Sequence, residues 1–323
     1  MLGEILGALL PAIITILLGY FAARHHDFSQ DEVPTLNRMV MTYALPLALF
    51  VGVLSAGRDE LLTALPLLVF LTLAMIGTYA AVLVVAIFVL RHPPGLSALR
   101  ALMASAPSTA FVGVPVLGYL YGTTADIPIA VGGIVISVFL LPATLILLAL
   151  DPTGATEAAP EAGSQARPPK QRGGMPGKVL QSLRQPMVWL PCSGFILILM
   201  NIQLPNLVEG SMSLLGHSSA GVALFTAGII LAGYKMTLNV PVVILVFIKN
   251  VLQPAVVCLG MLALGYGNPL LSQTVVTTAL PAVTLVVMLA VQYRVAIPEA
   301  AAALLISTFG SLITMSAFIW LVQ

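Results

Sequence analysis

The sequence predicts an all-α integral membrane protein of ten transmembrane helices in two inverted halves. Three observations carry that expectation: an apolar composition with few charges, ten segments of membrane length, and basic residues gathered in alternate loops. Hydrophobic residues make up 59% and charged residues 8% of the 323 positions, with a mean hydropathy of +1.06. A soluble domain carries roughly 25% charge. Here 13 Lys plus Arg and 12 Asp plus Glu cannot coat a water-facing surface of this length. A net charge of +1 gives no footing for nucleic acid. Cys192 and Cys258 both sit in apolar runs, so neither a disulfide framework nor a clustered metal site is expected.

With a span of about 20 residues as the ruler, apolar segments fall at 4–23, 36–56, 61–90, 97–121, 126–150, 184–204, 208–233, 238–264, 270–293 and 298–321. The first has Glu4 where a secretory signal carries basic residues, so it reads as a retained membrane helix. Between the fifth and sixth segments, DPTGATEAAPEAGSQARPPKQRGGMPGK is rich in Pro, Gly and Ala and reads as a flexible linker. The expected organisation is a first five-helix repeat over 1–150, a cytoplasmic linker over 151–183 and a second repeat over 184–323.

The loops test this count independently. Arg24, Arg38, Arg91, Arg100, Arg167, Lys170, Arg172, Lys178, Arg184, Lys235 and Arg294 fall in odd-numbered loops, and Arg58 alone in an even one. That asymmetry puts the odd loops in the cytoplasm and both termini outside it. Five spans per half then force the second half to enter from the opposite side. Pro11 and Pro191, and Pro107 and Pro281, recur at comparable places in the two halves. Interrupted helices at corresponding positions point to the binding site of a secondary transporter.

The stretch SAPSTAFVGVPVLGYLYG, residues 105–122, is such an interruption. Pro107 and Pro115 each remove a backbone donor, and Gly113 eases a non-helical backbone. The alternative is a kinked helix packed through its glycines. Ser105, Ser108 and Thr109 around the first proline favour a true break. Free amides at a half-helix amino end, with hydroxyls beside them, suit an anion.

LNRMVMTYALPLALF at 36–50, followed by PSTAFVGVPVLGYLYG, resembles the auxin efflux carrier family of membrane transporters. GHSSAGVALFTAGIILAG at 216–233 is similar to its bacterial malonate-transporter-like branch. The resemblance implies two inverted five-helix repeats with helices 4 and 9 broken and crossing, a fold similar to the bile acid sodium symporters. It places substrate binding at Pro107, Ser108, Thr109, Gly113 and Pro115, and at Pro281, Ala282, Val283 and Thr284. Family members commonly carry Asn after the first crossing proline, where this chain has Ser108, with one donor instead of two. Within the family-like second segment, Asn37, Tyr43 and Pro46 are gating candidates, with Pro46 expected to bend the helix beside the crossing.

Lys249 lies about ten residues, or ~15 Å of rise, into segment eight. Charge at such depth is costly and usually functional. Gln253 shares its helix face, and together they form a candidate counter-charge for a carboxylate. A structurally hydrogen-bonded lysine is the competing reading. His217 is a candidate for proton coupling, against a plain packing role among small neighbours. No Asp or Glu falls mid-span, so the usual carboxylate proton relay is absent from the sequence.

No Walker loop, spaced metal motif or nucleophile elbow is present, so no enzyme activity, cofactor or metal is expected. The expected function is alternating-access transport of a small organic anion, a mono- or dicarboxylate such as malonate. Auxin-like aromatic acids are the alternative substrate class, and a non-transporting sensor the alternative role. The coupling ion, H+ or Na+, stays open. Expected partners are the substrate and the lipid bilayer, with a homodimer by analogy. The composition suits a bacterial inner membrane.

Overall fold

The computed structural model describes residues 2–54, 64–151, 177, 183–202, 204–233 and 239–322. Most of the 151–183 linker lies outside the described residues, as do Arg58, Arg167, Lys170, Arg172, Lys178 and Lys235. The described residues form helices joined by turns and short irregular connections, with one isolated two-residue backbone bridge and no strand among them. The helices are α1 (Leu2–Arg24), α2 (Gln30–Leu54), α3 (Leu65–Val89), α4 (Pro94–Ser105), α5 (Thr109–Tyr121) and α6 (Asp126–Leu150). There follow α7 (Pro186–Leu199), α8 (Asn206–Gly233), α9 (Val240–Ala263), α10 (Leu270–Ala279), α11 (Leu285–Tyr293) and α12 (Ile297–Val322).

Among the described residues, six of these helices are long and apolar enough to cross a membrane: α2, α3, α6, α8, α9 and α12. Helix α1 runs 23 residues, and the other expected segments are present as shorter helices, for a physical reason in two cases. Segments four and nine are each split, into α4 and α5 and into α10 and α11, so neither piece has the length of a span. Segment six contracts to the 14 residues of α7.

Proline placement explains four departures from α geometry, though not the π-type turn at Val85–Val89 in α3. A proline cannot donate to the carbonyl four residues back, and its ring collides with it. Pro46, Pro115, Pro142 and Pro254 each follow a π-type turn, at Val40–Ala44, Thr109–Gly113, Val135–Leu140 and Ile248–Leu252. In every case the carbonyl that the proline cannot serve lies inside that turn. The wider turn shifts the register by one residue and keeps the chain helical.

Helix α1 packs along α8, α7 along α2, and α2 against α8. Small residues allow this. A Cβ added at Gly19 would land on the Phe225 carbonyl, and one at Gly228 on the Ile16 carbonyl. The backbones of α1 and α8 therefore touch, the close packing that drives helix association where lipid removes the hydrophobic incentive. The other set repeats one order in each half: α3 against α4 and α4 against α6, then α9 against α10 and α10 against α12. Arg100, expected in a loop, sits inside α4 instead. Its guanidinium makes a two-pronged ion pair with Glu299 on α12, at 2.7 and 2.9 Å, and a third contact to His92 at 2.9 Å. That pairing satisfies a charge which an apolar helix could not otherwise hold.

Candidate functional site

The breaks after α4 and α10 meet. Pro107 and Ala282 form an antiparallel bridge, in which the Ser108 amide donates to the Pro281 carbonyl at 2.9 Å and the Val283 amide to the Ala106 carbonyl at 3.0 Å. Unwound backbone is tolerated at membrane depth only where protein satisfies it, and here each break satisfies the other. The Ala282 amide is held from outside the breaks, by the Ser307 hydroxyl of α12 at 2.8 Å. Ser307 in turn donates to Asn250 of α9 at 2.7 Å, and the Asn250 amide returns to the Ser307 carbonyl at 2.8 Å.

Two half-helices start from this junction. Ser108 caps α5 with φ −77° and ψ 61°, outside the helical region, and its carbonyl receives the amides of Val112 and Gly113. Thr284 precedes α11. The first amides of each have no partner within their own helix, because no turn precedes them. The Ser108 and Thr284 hydroxyls, 2% and 0% exposed as residues, are buried without any hydrogen-bond partner, and so is the Ser105 hydroxyl at the end of α4. Buried polar atoms are nearly always paired. Three orphan hydroxyls on the residues framing one junction therefore stand out as candidates for contact with a ligand.

The remaining predicted residues divide into those that support the junction and those that stand apart. Thr109 is buried against Gly132 of α6, where any added Cβ would strike its methyl group. Gly113 leaves room for Leu280, whose Cδ1 would lie 3.1 Å from a Cβ there. Pro115 follows the π-type turn of α5. Lys249 is fully buried, and its ammonium donates to the Thr278 carbonyl, in the last turn of α10, at 2.6 Å. Gln253 donates to the Ser105 carbonyl at 2.9 Å, while its own oxygen is unpartnered. Asn37 donates to the Met288 carbonyl of α11 at 3.1 Å. Pro46 is buried in α2 after its π-type turn, whereas Tyr43 is 59% exposed and points away from the junction.

A cavity of about 490 Å³ lies between α2 and α8 on one side and α5 and α6 on the other. The first turn of α5 contributes Ala110 and Phe111 to its wall, and Asp126, Ser213 and His217 line it too. His217 thus faces the same space as the amino end of α5. Asp126 shares it as well, which no spacing rule revealed because the two residues are far apart in the chain. A second cavity of about 610 Å³ opens between α3 and α9. Its walls are mostly aliphatic, its Arg100 is engaged with Glu299, and no half-helix amino end borders it.

Sequence reasoning passed over Ser307 and gave Asn250 no task. Each is a polar letter in a largely apolar helix, and their partners, each other and the Ala282 and Ser307 backbone, lie far off in the chain or have no letter of their own. A signal was available for Asn250, since it lies four residues before Pro254 and so must leave helical register.

Comparison with known proteins shows the family to which the chain belongs. A family model described as membrane transport protein matches residues 4–319. The chain is 27% identical over 322 residues, 99% of its own length and 98% of the relative's, to the "Uncharacterized transporter YfdV" of Escherichia coli strain K12, and equally to that of Shigella flexneri. It is 25% identical over 331 residues, covering 100% and 97% of the two chains, to the "Putative malonate transporter" of Rhizobium meliloti strain 1021. The chain belongs to the membrane transport protein family, the family of the auxin efflux carriers, and is a multi-pass membrane transporter.

Proposed function

We propose that this protein is a secondary carrier of small organic anions, with malonate or a related carboxylate as substrate. The observation that carries this reading is the trio of orphan hydroxyls at the crossing, Ser108 and Thr284 at the amino ends of two half-helices and Ser105 at the carboxyl end of α4. Carboxylate oxygens accept from backbone amides and hydroxyls, and the half-helix dipoles favour their charge. The relative from Rhizobium meliloti, by its name, supports malonate as the first substrate to try.

In this reading the chain forms ten spans as two inverted five-helix repeats, 1–150 and 184–323, joined by the cytoplasmic linker at 151–183. The matching order of α1–α6 and α7–α12, with the split helix at the same place in each, supports the repeat. The set made of α1, α2, α7 and α8 is the scaffold, and the rest moves against it, so the cavity between α2, α8, α5 and α6 opens and closes as access alternates. The protein resides in a bacterial inner membrane with both termini outside the cytoplasm.

Uptake of labelled malonate into proteoliposomes tests this reading. The wild type is expected to take up or exchange malonate, and Ser108→Ala and Thr284→Ala to slow it roughly 10-fold each, as for a lost hydrogen bond to a charged group of about 1.5 kcal/mol. Wild-type protein that is folded yet moves no malonate in exchange or under either a pH or a sodium gradient removes malonate as the substrate.

A further inference from the structure

The environment of Lys249 asks why a charge is there at all. Its side chain is fully buried, and among the described residues no carboxylate lies within ion-pair distance of its ammonium. A methionine would fill similar volume without the expense of burying a charge. What the ammonium does touch is the Thr278 carbonyl, in the last turn of α10, where the helix stops at the break. The carbonyls of a last turn lack partners in their own helix, and their dipoles sum to a partial negative charge. A cation is the natural complement.

The other carbonyl end at the junction is treated differently. The last turn of α4 is met by Gln253, one helical turn along the same face of α9, whose neutral amide donates to the Ser105 carbonyl. Helix α9 therefore serves both broken ends, one with an amide and one with an ammonium. Two buried oxygens without hydrogen-bond partners, Gln253 Oε1 and Ser105 Oγ, belong to the residues that meet at the α4 end. Carbonyl, amide and hydroxyl oxygens at the carboxyl end of a half-helix are the hard donors with which broken-helix carriers hold a monovalent metal cation.

The geometry points to Lys249 as a covalently tethered cation, holding at the end of α10 the position and charge that an alkali metal ion would otherwise supply. The carrier then brings its own counter-charge to the crossing and needs no sodium there. Removing the ammonium leaves a buried place beside the Thr278 carbonyl, at the negative end of α10, which sodium or lithium can enter. This inference rests on the carrier reading only for its transport consequence, and its test needs no substrate.

The test is thermal melting of the purified full-length chain in choline, sodium, lithium and potassium chloride at fixed ionic strength. Wild type and Lys249→Arg are expected to melt at the same temperature in all four salts. Lys249→Gln and Lys249→Met are expected to melt lower in choline and to gain about 5 °C, saturably, in sodium or lithium, as mass action dictates for an ion bound only by the folded state. Should both neutral variants fail to fold in choline, purification in sodium or lithium is expected to recover them. The inference is overturned by a sodium-specific rise in the wild type, by neutral variants indifferent to every cation, or by neutral variants that fold in none of the salts. Absence of malonate uptake by the wild type would leave the melting result standing, so the two readings fail separately.

Discussion

Gly228→Val is expected to abolish stable folding or lower the melting temperature more than any other single change considered. At this position α8 crosses α1 with backbone against backbone, and a Cβ would strike the Ile16 carbonyl and lie 2.8 Å from the Tyr20 amide nitrogen and 3.0 Å from the Gly19 Cα. Side-chain rotation cannot relieve a clash with main chain, so the helices must separate. Overpacking costs 1–3 kcal/mol where side chains can adjust, and here the upper end is about the least to expect. Separation also removes the dispersion contacts along the whole α1–α8 seam, which in lipid are the main force holding helices together. Gly221→Ala, on the same helix, is the control. Nothing lies within 4 Å of a Cβ there, so alanine is expected to leave the melting temperature unchanged or raise it slightly. Fluorescence-detected size exclusion and thermal melting read both variants, and a Gly228→Val protein as stable as Gly221→Ala would show that the seam is not close-packed.

Arg100→Ala is expected to destabilise the protein by about 3–5 kcal/mol, the loss typical when one partner of a buried ion pair is removed. The two side chains are only 12% and 10% exposed, and both prongs of the guanidinium are engaged. Without Arg100 the Glu299 carboxylate stays buried at the start of α12 with no cation within reach of both its oxygens. The double variant Arg100→Met with Glu299→Leu removes the charge and its need together, and is expected to recover most of the loss. A double-mutant cycle therefore separates the penalty of an orphaned charge from the worth of the pair. Equal losses for the single and double variants would mean that the packing of α4 against α12, not the ion pair, is what Arg100 supports.

The overall architecture was legible because lipid imposes a simple rule on sequence. Apolar stretches of span length located the helices, and α6, expected at 126–150, is Asp126–Leu150, although α2 starts six residues before its segment and segments four and nine are each two helices. The break at Pro107 was legible for a similar reason, since proline and glycine write backbone constraints directly into the chain. Arg100 was misplaced because a lone charge beside an apolar run looks like a loop until its partner is known, and Glu299 lies 199 residues away. The Thr278 carbonyl beside Lys249 has no letter of its own, so a sequence can nominate the lysine but not the atom it serves. Ser307 illustrates the same limit, because its hydroxyl steadies the second break through the Ala282 amide. Tyr43 sits in a stretch that resembles the family, yet periodicity on α2 turns it outward while Asn37, six residues earlier, turns in to Met288.

The claim that the amino end of α5 receives a carboxylate has one direct test. Ala110 is exposed in the first turn of that helix and lines the cavity between α2, α5, α6 and α8. In a background with Cys192 and Cys258 replaced by serine, Ala110→Cys is expected to react with a water-soluble thiol reagent, and malonate is expected to slow that reaction saturably while its uncharged diamide does not. Modification at an unchanged rate in saturating malonate, or equal protection by the diamide, would contradict an anion site at the crossing.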